Sequence, residues 1–290
     1  MKVVITGKNS YIGNHIEKWL IDKCDGISVC QLDVETDEWE NYDFVGTDAV
    51  IHVAGIVHRP KLKDESLYER VNAELPLKVA TRAKDAGVKQ FVFFSTMAVY
   101  GKDKALKPNV VTGETPIAPT NLYGQSKYRA ETLLSELADE NLVLSIVRPP
   151  NVYGYGCKGN YIGGFLKLAN LPVAFPYAFN GVKQSMIYIG NLCEAIRIIV
   201  EKRLSGVYCP RDEAVSAVEL VRALRKAEGK NKRFSKFLGF FVKVFRFIPV
   251  VKKIYGGIEY ANISDVDNGS YRVVTFDEAI ERTINSGDTI

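Results

Sequence analysis

Tyr123 and Lys127 stand four residues apart in the run Tyr123-Gly124-Gln125-Ser126-Lys127, a spacing that puts a phenol and an ammonium on one face of a helix. A free phenol ionises near pH about 10 and is a poor base at neutrality. A fixed positive charge beside it favours the phenolate, which makes the pair a candidate acid/base unit. The same four-residue pattern also describes an ordinary exposed helical pair. What decides between the two is the set of elements that would have to position it.

Those elements alternate. Lys2 to Thr6 is a β-branched run, followed by a turn from Gly7 to Gly13 and an amphipathic stretch to about Asp22, which reads as strand, turn and helix. Short apolar strands are expected at 27–32, 49–54, 90–94 and 142–147, and helices at 66–86 and 121–140. Strands recurring between helices at this interval call for an α/β fold, a Rossmann doubly wound parallel sheet. Beyond Asn151, Gly and Pro become frequent and the alternation fades; a strand is expected at 185–189 and helices at 191–203, 216–228 and 276–285. The expected division is a dinucleotide-binding domain of residues 1–151 and 185–209, with a smaller C-terminal substrate-binding domain of 152–184 and 210–290.

The first turn is the second candidate site. Gly7-x-x-Ser10-x-x-Gly13 lies between strand and helix, where glycines permit a tight turn and let a pyrophosphate approach the helix N-terminus. Ser10, at the usual place of a middle glycine, can meet phosphate or simply cap the helix. Asp33 lies twenty residues past Gly13, placed to accept from a ribose hydroxyl, which favours NAD. Lys8, inside the turn, favours a 2′-phosphate and NADP.

Composition narrows the classes. A chain of 290 residues with 47% hydrophobic content is an ordinary globule, and a net charge of +4 is too small to argue for nucleic acid. Cysteines 24, 30, 157, 193 and 209 form an odd set without a Cys-x-x-Cys pair, so neither a disulfide framework nor a metal site is expected. Residues 1–6 read directly as a strand, leaving no room for a leader, and no apolar run has spanning length. A cytoplasmic location is the expectation. Oligomeric state stays open, a homodimer being one option.

Taken with His52-Val53-Ala54-Gly55, Asn72, Ser95-Thr96 through Tyr100-Gly101, and Arg148-Pro149-Pro150-Asn151-Val152-Tyr153-Gly154, these motifs resemble the extended short-chain dehydrogenase/reductases, in their nucleotide-sugar epimerase/dehydratase branch. The resemblance implies that Tyr123 exchanges a proton with a sugar oxygen, that Thr96 hydrogen-bonds the same oxygen, and that Lys127 holds the nicotinamide ribose. It implies a dinucleotide site of Gly7, Ser10, Tyr11, Ile12, Gly13, Asp33, Val34, Val53, Ala54, Gly55, Asn72, Ser95 and Pro149. The substrate, a nucleotide-diphosphate sugar, would meet Thr96, Met97, Asn151, His58, Gln184 and Lys158. His52 reads as strand packing.

Similar 4,6-dehydratases carry Asp and Glu after the catalytic Thr, whereas Met97 and Ala98 stand here and cannot exchange protons. Dehydration is therefore disfavoured. Epimerisation at C4, or the half-reaction of a 4-keto reductase, remains; a dinucleotide-binding sensor or scaffold is the rival from another class. Finally, Lys230 to Ile258 has no acidic residue and six phenylalanines. Phe234, Phe237, Phe241, Val244, Phe245 and Ile248 would share one helical stripe, with Lys236, Lys243 and Arg246 opposite. The preferred expectation is that this stripe closes the substrate domain; contact of 230–255 with an anionic membrane is the other.

Overall fold

The structure, a computed structural model, describes residues 1–57, 64–157, 161–230 and 233–285. In chain order the first half contains β1 (Lys2–Thr6), α1 (Tyr11–Lys23), β2 (Ser28–Leu32), β3 (Ala49–His52), α2 (Glu65–Glu69), α3 (Leu75–Asp85), β4 (Gln90–Phe94), β5 (Val110–Val111), α4 (Leu122–Leu137) and β6 (Val143–Val147). Then come β7 (Asn151–Tyr153), α5 (Tyr161–Ala169), β8 (Phe175–Pro176), β9 (Lys183–Gln184), β10 (Met186–Tyr188), α6 (Ile189–Glu201) and β11 (Gly206–Tyr208). The chain closes with β12 (Val215–Ser216), α7 (Ala217–Ala227), β13 (Phe234–Ser235), α8 (Lys236–Val244), α9 (Pro249–Tyr255), β14 (Glu259–Tyr260) and α10 (Phe276–Ile284).

Six strands form one parallel sheet in the order β11-β6-β4-β3-β1-β2. The expected Rossmann sheet is therefore present. Alternate residues face opposite layers: Val3, Ile5 and Ile51 pack with α1 and α6, whereas Val4, Val50 and Phe91 pack with α3 and α4. Both faces are covered, so β3 and β4 are buried throughout, as their largely apolar sequences require. Between β2 and β3 only a 3₁₀ turn at Asp37–Asn41 intervenes. His52 is fully buried, its Nδ1 2.9 Å from Thr6 Oγ1, with its ring stacked beside Phe91 and Phe93. It packs the sheet, as expected of it.

Three segments depart from the sequence reading. The helix expected at 66–86 is interrupted by a π turn at Arg70–Glu74. Pro76 lacks an N–H and its ring would crowd the carbonyl four residues back, and the wider turn relieves this. The strand expected at 185–189 is β10, with the short β9 just before it, and α6 begins at Ile189 rather than at 191. The stripe expected in 230–258 is split between α8 and α9 because Pro249 starts a new helix, and it does not close the fold over a substrate. Phe237, Phe241, Val244, Phe245 and Ile248 are exposed, with Phe237 at 71%.

Candidate active site

Two cavities share the wall made by Val53, Gly55 and Ile56 and together form a slot across the carboxyl ends of the sheet strands, where open α/β sheets bind ligands. The larger, about 860 Å³, is bordered by Gly7, Lys8, Ser10, Asp33, Val34 and Ala54. Gly7 has φ +92°, and a Cβ there would fall 3.0 Å from Val53 Cγ2 and 3.1 Å from Ala54 N. Only glycine keeps this turn tight against the strand beside it. Ser10 caps α1, its Oγ accepting from Gly13 N at 3.1 Å, and it also borders the cavity. Helix cap and cavity border are thus the same residue. Asp33 is exposed at the rim, where its carboxylate accepts from Glu35 N at 2.9 Å.

The smaller cavity, about 200 Å³, is lined by Ile12, Ser95, Thr96, Tyr123, Lys127 and Pro149, among others. Asn121 starts α4 by accepting from Gly124 N at 2.9 Å. The absent side chain of Gly124 lets α4 press on the 96–100 turn, since a Cβ there would lie 2.8 Å from Ala98 O. This packing brings the Tyr123 phenol beside the Thr96 hydroxyl on one cavity wall. Burial pushes the Tyr123 phenol up, and the Thr96 hydroxyl acts in the opposite direction.

Lys127 lines the same cavity as that phenol. Its ammonium donates to Phe94 O at 2.8 Å and lies 4.6 Å from the Phe93 ring centroid. Burial lowers Lys127 to about 7, with Glu131 opposing. The lysine side chain runs toward Phe94 and Gly55, where a Cβ would sit 3.0 Å from its Nζ.

Below the cavity lies a buried polar cluster that the sequence reading missed. Arg148 donates from Nε to Glu131 Oε1 at 2.9 Å, from Nη2 to Oε2 at 2.5 Å, and from Nη1 to the Tyr100 hydroxyl at 2.9 Å. Ser95 donates its hydroxyl to Glu131. The signal was available: Glu131 follows Lys127 by four residues, hence on the same helical face, and Arg148 heads the Arg-Pro-Pro run.

The remaining expected residues divide. Asn72, wholly buried on the π turn, accepts from Ile56 N at 2.9 Å and donates to Ile56 O at 3.0 Å and to Ser126 Oγ at 3.1 Å. It holds the cavity wall rather than lining it. Met97 is 3% exposed and turned into a core cluster with Val99 and Val111, away from the slot. Gln184 is likewise buried, its amide donating to Ser185 O at 2.9 Å. Tyr11 turns toward Gly154 and its hydroxyl is buried without a partner among the described residues. Asn151 is exposed on β7 and borders neither cavity. His58 and Lys158 lie outside the described residues.

Residues 3–207 match the family described as NAD dependent epimerase/dehydratase. The chain belongs to that family. A UDP-glucose 4-epimerase of Vibrio cholerae is 30% identical over 234 residues, spanning 78% of this chain and 71% of that protein. An N-acetyl-alpha-D-glucosaminyl-diphospho-ditrans,octacis-undecaprenol 4-epimerase of Escherichia coli O157:H7 is 31% identical over 177 residues, 60% of this chain and 52% of that protein. Among solved structures, a UDP-glucuronic acid 4-epimerase from Bacillus cereus in complex with NAD superposes with TM-score 0.71 at 19% identity, covering 97% of both chains. That likeness establishes the fold.

A family dinucleotide fits the slot on this chain's own features. Gly7 leaves backbone accessible, α1 presents its N-terminus, and Lys127 keeps two N–H donors beyond its bond to Phe94. Buried ammonium donors with no other acceptor among the described residues suit ribose hydroxyls.

Proposed function

We propose that this family member inverts the configuration at C4 of a sugar carried on a nucleoside diphosphate. The observation that carries the reading is the Thr96–Tyr123 hydroxyl pair at the end of the slot nearest Lys127. Bound NAD would supply the hydride acceptor and donor. Gly7, Ser10 and Gly13 would hold its phosphates, Asp33 its adenosine ribose, and Lys127 the ribose nearer the reacting carbon. Tyr123 takes the C4 hydroxyl proton as the carbonyl forms and returns it after the sugar has turned, while Thr96 orients both oxygens.

Elimination is not part of this reading, because Met97 is buried and Ala98 bears no acid or base. The relative named for an undecaprenol-linked substrate supports a role in building surface glycans. Five free cysteines agree with a reducing cytoplasm. In the same reading, residues 1–151 and 185–209 bind the dinucleotide and the rest binds the sugar.

The test is purification followed by identification of the retained cofactor and assay with UDP-sugars. Tightly held NAD and C4 interconversion without added reductant are expected. An empty protein that consumes NADPH stoichiometrically with a 4-keto sugar would replace this reading with the reductase.

A further inference from the structure

Helices α8 and α9 contribute little to the core. On α8 only Gly239 is buried, and it is pressed against the backbone of Tyr177. On α9, Val251 and Tyr255 are buried, and the Tyr255 hydroxyl donates to Pro176 O at 2.9 Å. Val242 and Ile254 are partly buried against the core, and the remaining large apolar side chains are exposed. Nine of the nineteen exposed large hydrophobic side chains among the described residues fall within 237–250, with Phe237 at 71%, Phe240 at 62% and Phe247 at 76% exposed. Phe237, Phe240 and Phe241 meet edge to face, as do Phe245 and Phe247. Monomeric proteins rarely leave so concentrated an apolar patch facing water.

The charge around the patch selects its occupant. Lys236, Lys243, Arg246, Lys252 and Lys253 are all exposed, and none joins an ion pair among the described residues. Residues 230–258 include no Asp or Glu to offset them. A second copy of this chain across a two-fold axis would bring the same cations together. Protein interfaces are in any case depleted in lysine. An anionic lipid surface satisfies both features, since rings settle at the headgroup boundary while lysine and arginine reach the phosphates.

We propose that the exposed face of α8 and α9 docks on an anionic membrane, with its phenylalanines at headgroup depth and its basic side chains against lipid phosphate. No described helix is long and apolar enough to cross a membrane, so the contact is peripheral. The docking face is rigidly joined to the body. Gly257, just past α9, lies so close to β9 that a Cβ would fall 2.0 Å from Lys183 O, and it pairs with Ala105. Docking does not depend on the reaction assigned to the slot.

The experiment is co-sedimentation of the full chain with phosphatidylcholine vesicles, with and without roughly 30% phosphatidylglycerol. Binding only to the anionic vesicles, weakened as salt rises from roughly 50 to 500 mM, is expected. Lys236→Gln with Lys243→Gln and Arg246→Gln should lower partitioning roughly a hundredfold. Phe237→Ser with Phe240→Ser and Phe247→Ser should also abolish it, while both variants retain dinucleotide affinity as proof of folding. No binding at low salt, or binding unchanged in the two variants, would overturn the proposal. So would a dimer that the Phe variant converts to monomer in the absence of lipid binding.

Discussion

Arg148 engages both carboxylate oxygens of Glu131 beneath the reacting end of the slot, with 7% and 4% of the two side chains exposed. An ion pair this deep is expensive to break on one side, because the survivor is left charged and desolvated. Arg148→Met should therefore cost about 3–5 kcal/mol of unfolding free energy, read from urea denaturation. Loss of less than about 1 kcal/mol would show the pair to be dispensable.

Removal of the proton carrier separates chemistry from binding. Tyr123→Phe should lower kcat by about 10²–10⁴, with the dinucleotide Kd unchanged by equilibrium titration. Thr96→Val should lower kcat by roughly 10–100-fold, as the loss of one orienting hydroxyl. A Tyr123→Phe enzyme as active as the parent would remove the proton-transfer role.

Lys127 makes a pH prediction with a definite sign. Its folded value is about 7, below an unfolded value of about 10.4. Between these limits the unfolded chain binds the extra proton, so the unliganded protein gains stability from this residue as pH rises through that window. The contribution is absent below about 7 and complete above about 10. Comparing urea midpoints of the parent and Lys127→Met across pH 6.5–10 should show the parent rising more steeply. Parallel curves would contradict the burial of that charge.

Cofactor choice is testable at the rim. Asp33→Asn should weaken NAD binding roughly tenfold, through loss of a charge-assisted hydrogen bond. Lys8→Ala should affect NADP more than NAD, because only NADP offers a phosphate there. Isothermal titration with both dinucleotides distinguishes these outcomes; an unchanged NAD affinity in Asp33→Asn would move the ribose contact elsewhere.

The sheet was legible because buried parallel strands are mostly apolar, and β1, β3, β4 and β6 are such segments. Thr96, Tyr123 and Lys127 were legible through spacing and order, and the structure brings all three to one cavity. The direction of the Lys127 side chain was not, because helical periodicity places two residues on a face without saying which carbonyl each will meet. The π turn was readable in principle from Pro76. Asn72's grip on Ile56 was not, since it joins residues 16 apart. The 230–258 stripe shows a further limit: an amphipathic pattern specifies which side is apolar and leaves open whether protein or another medium lies against it.

Asn72 also links the two chambers of the slot mechanically. It secures Ile56, which borders both, and reaches Ser126 on the helix that bears the phenol. Partition and floor are thus tied to one another through a single buried amide. In the proposed epimerisation, the half-turn would then fall to the hexose swivelling on its pyrophosphate tether.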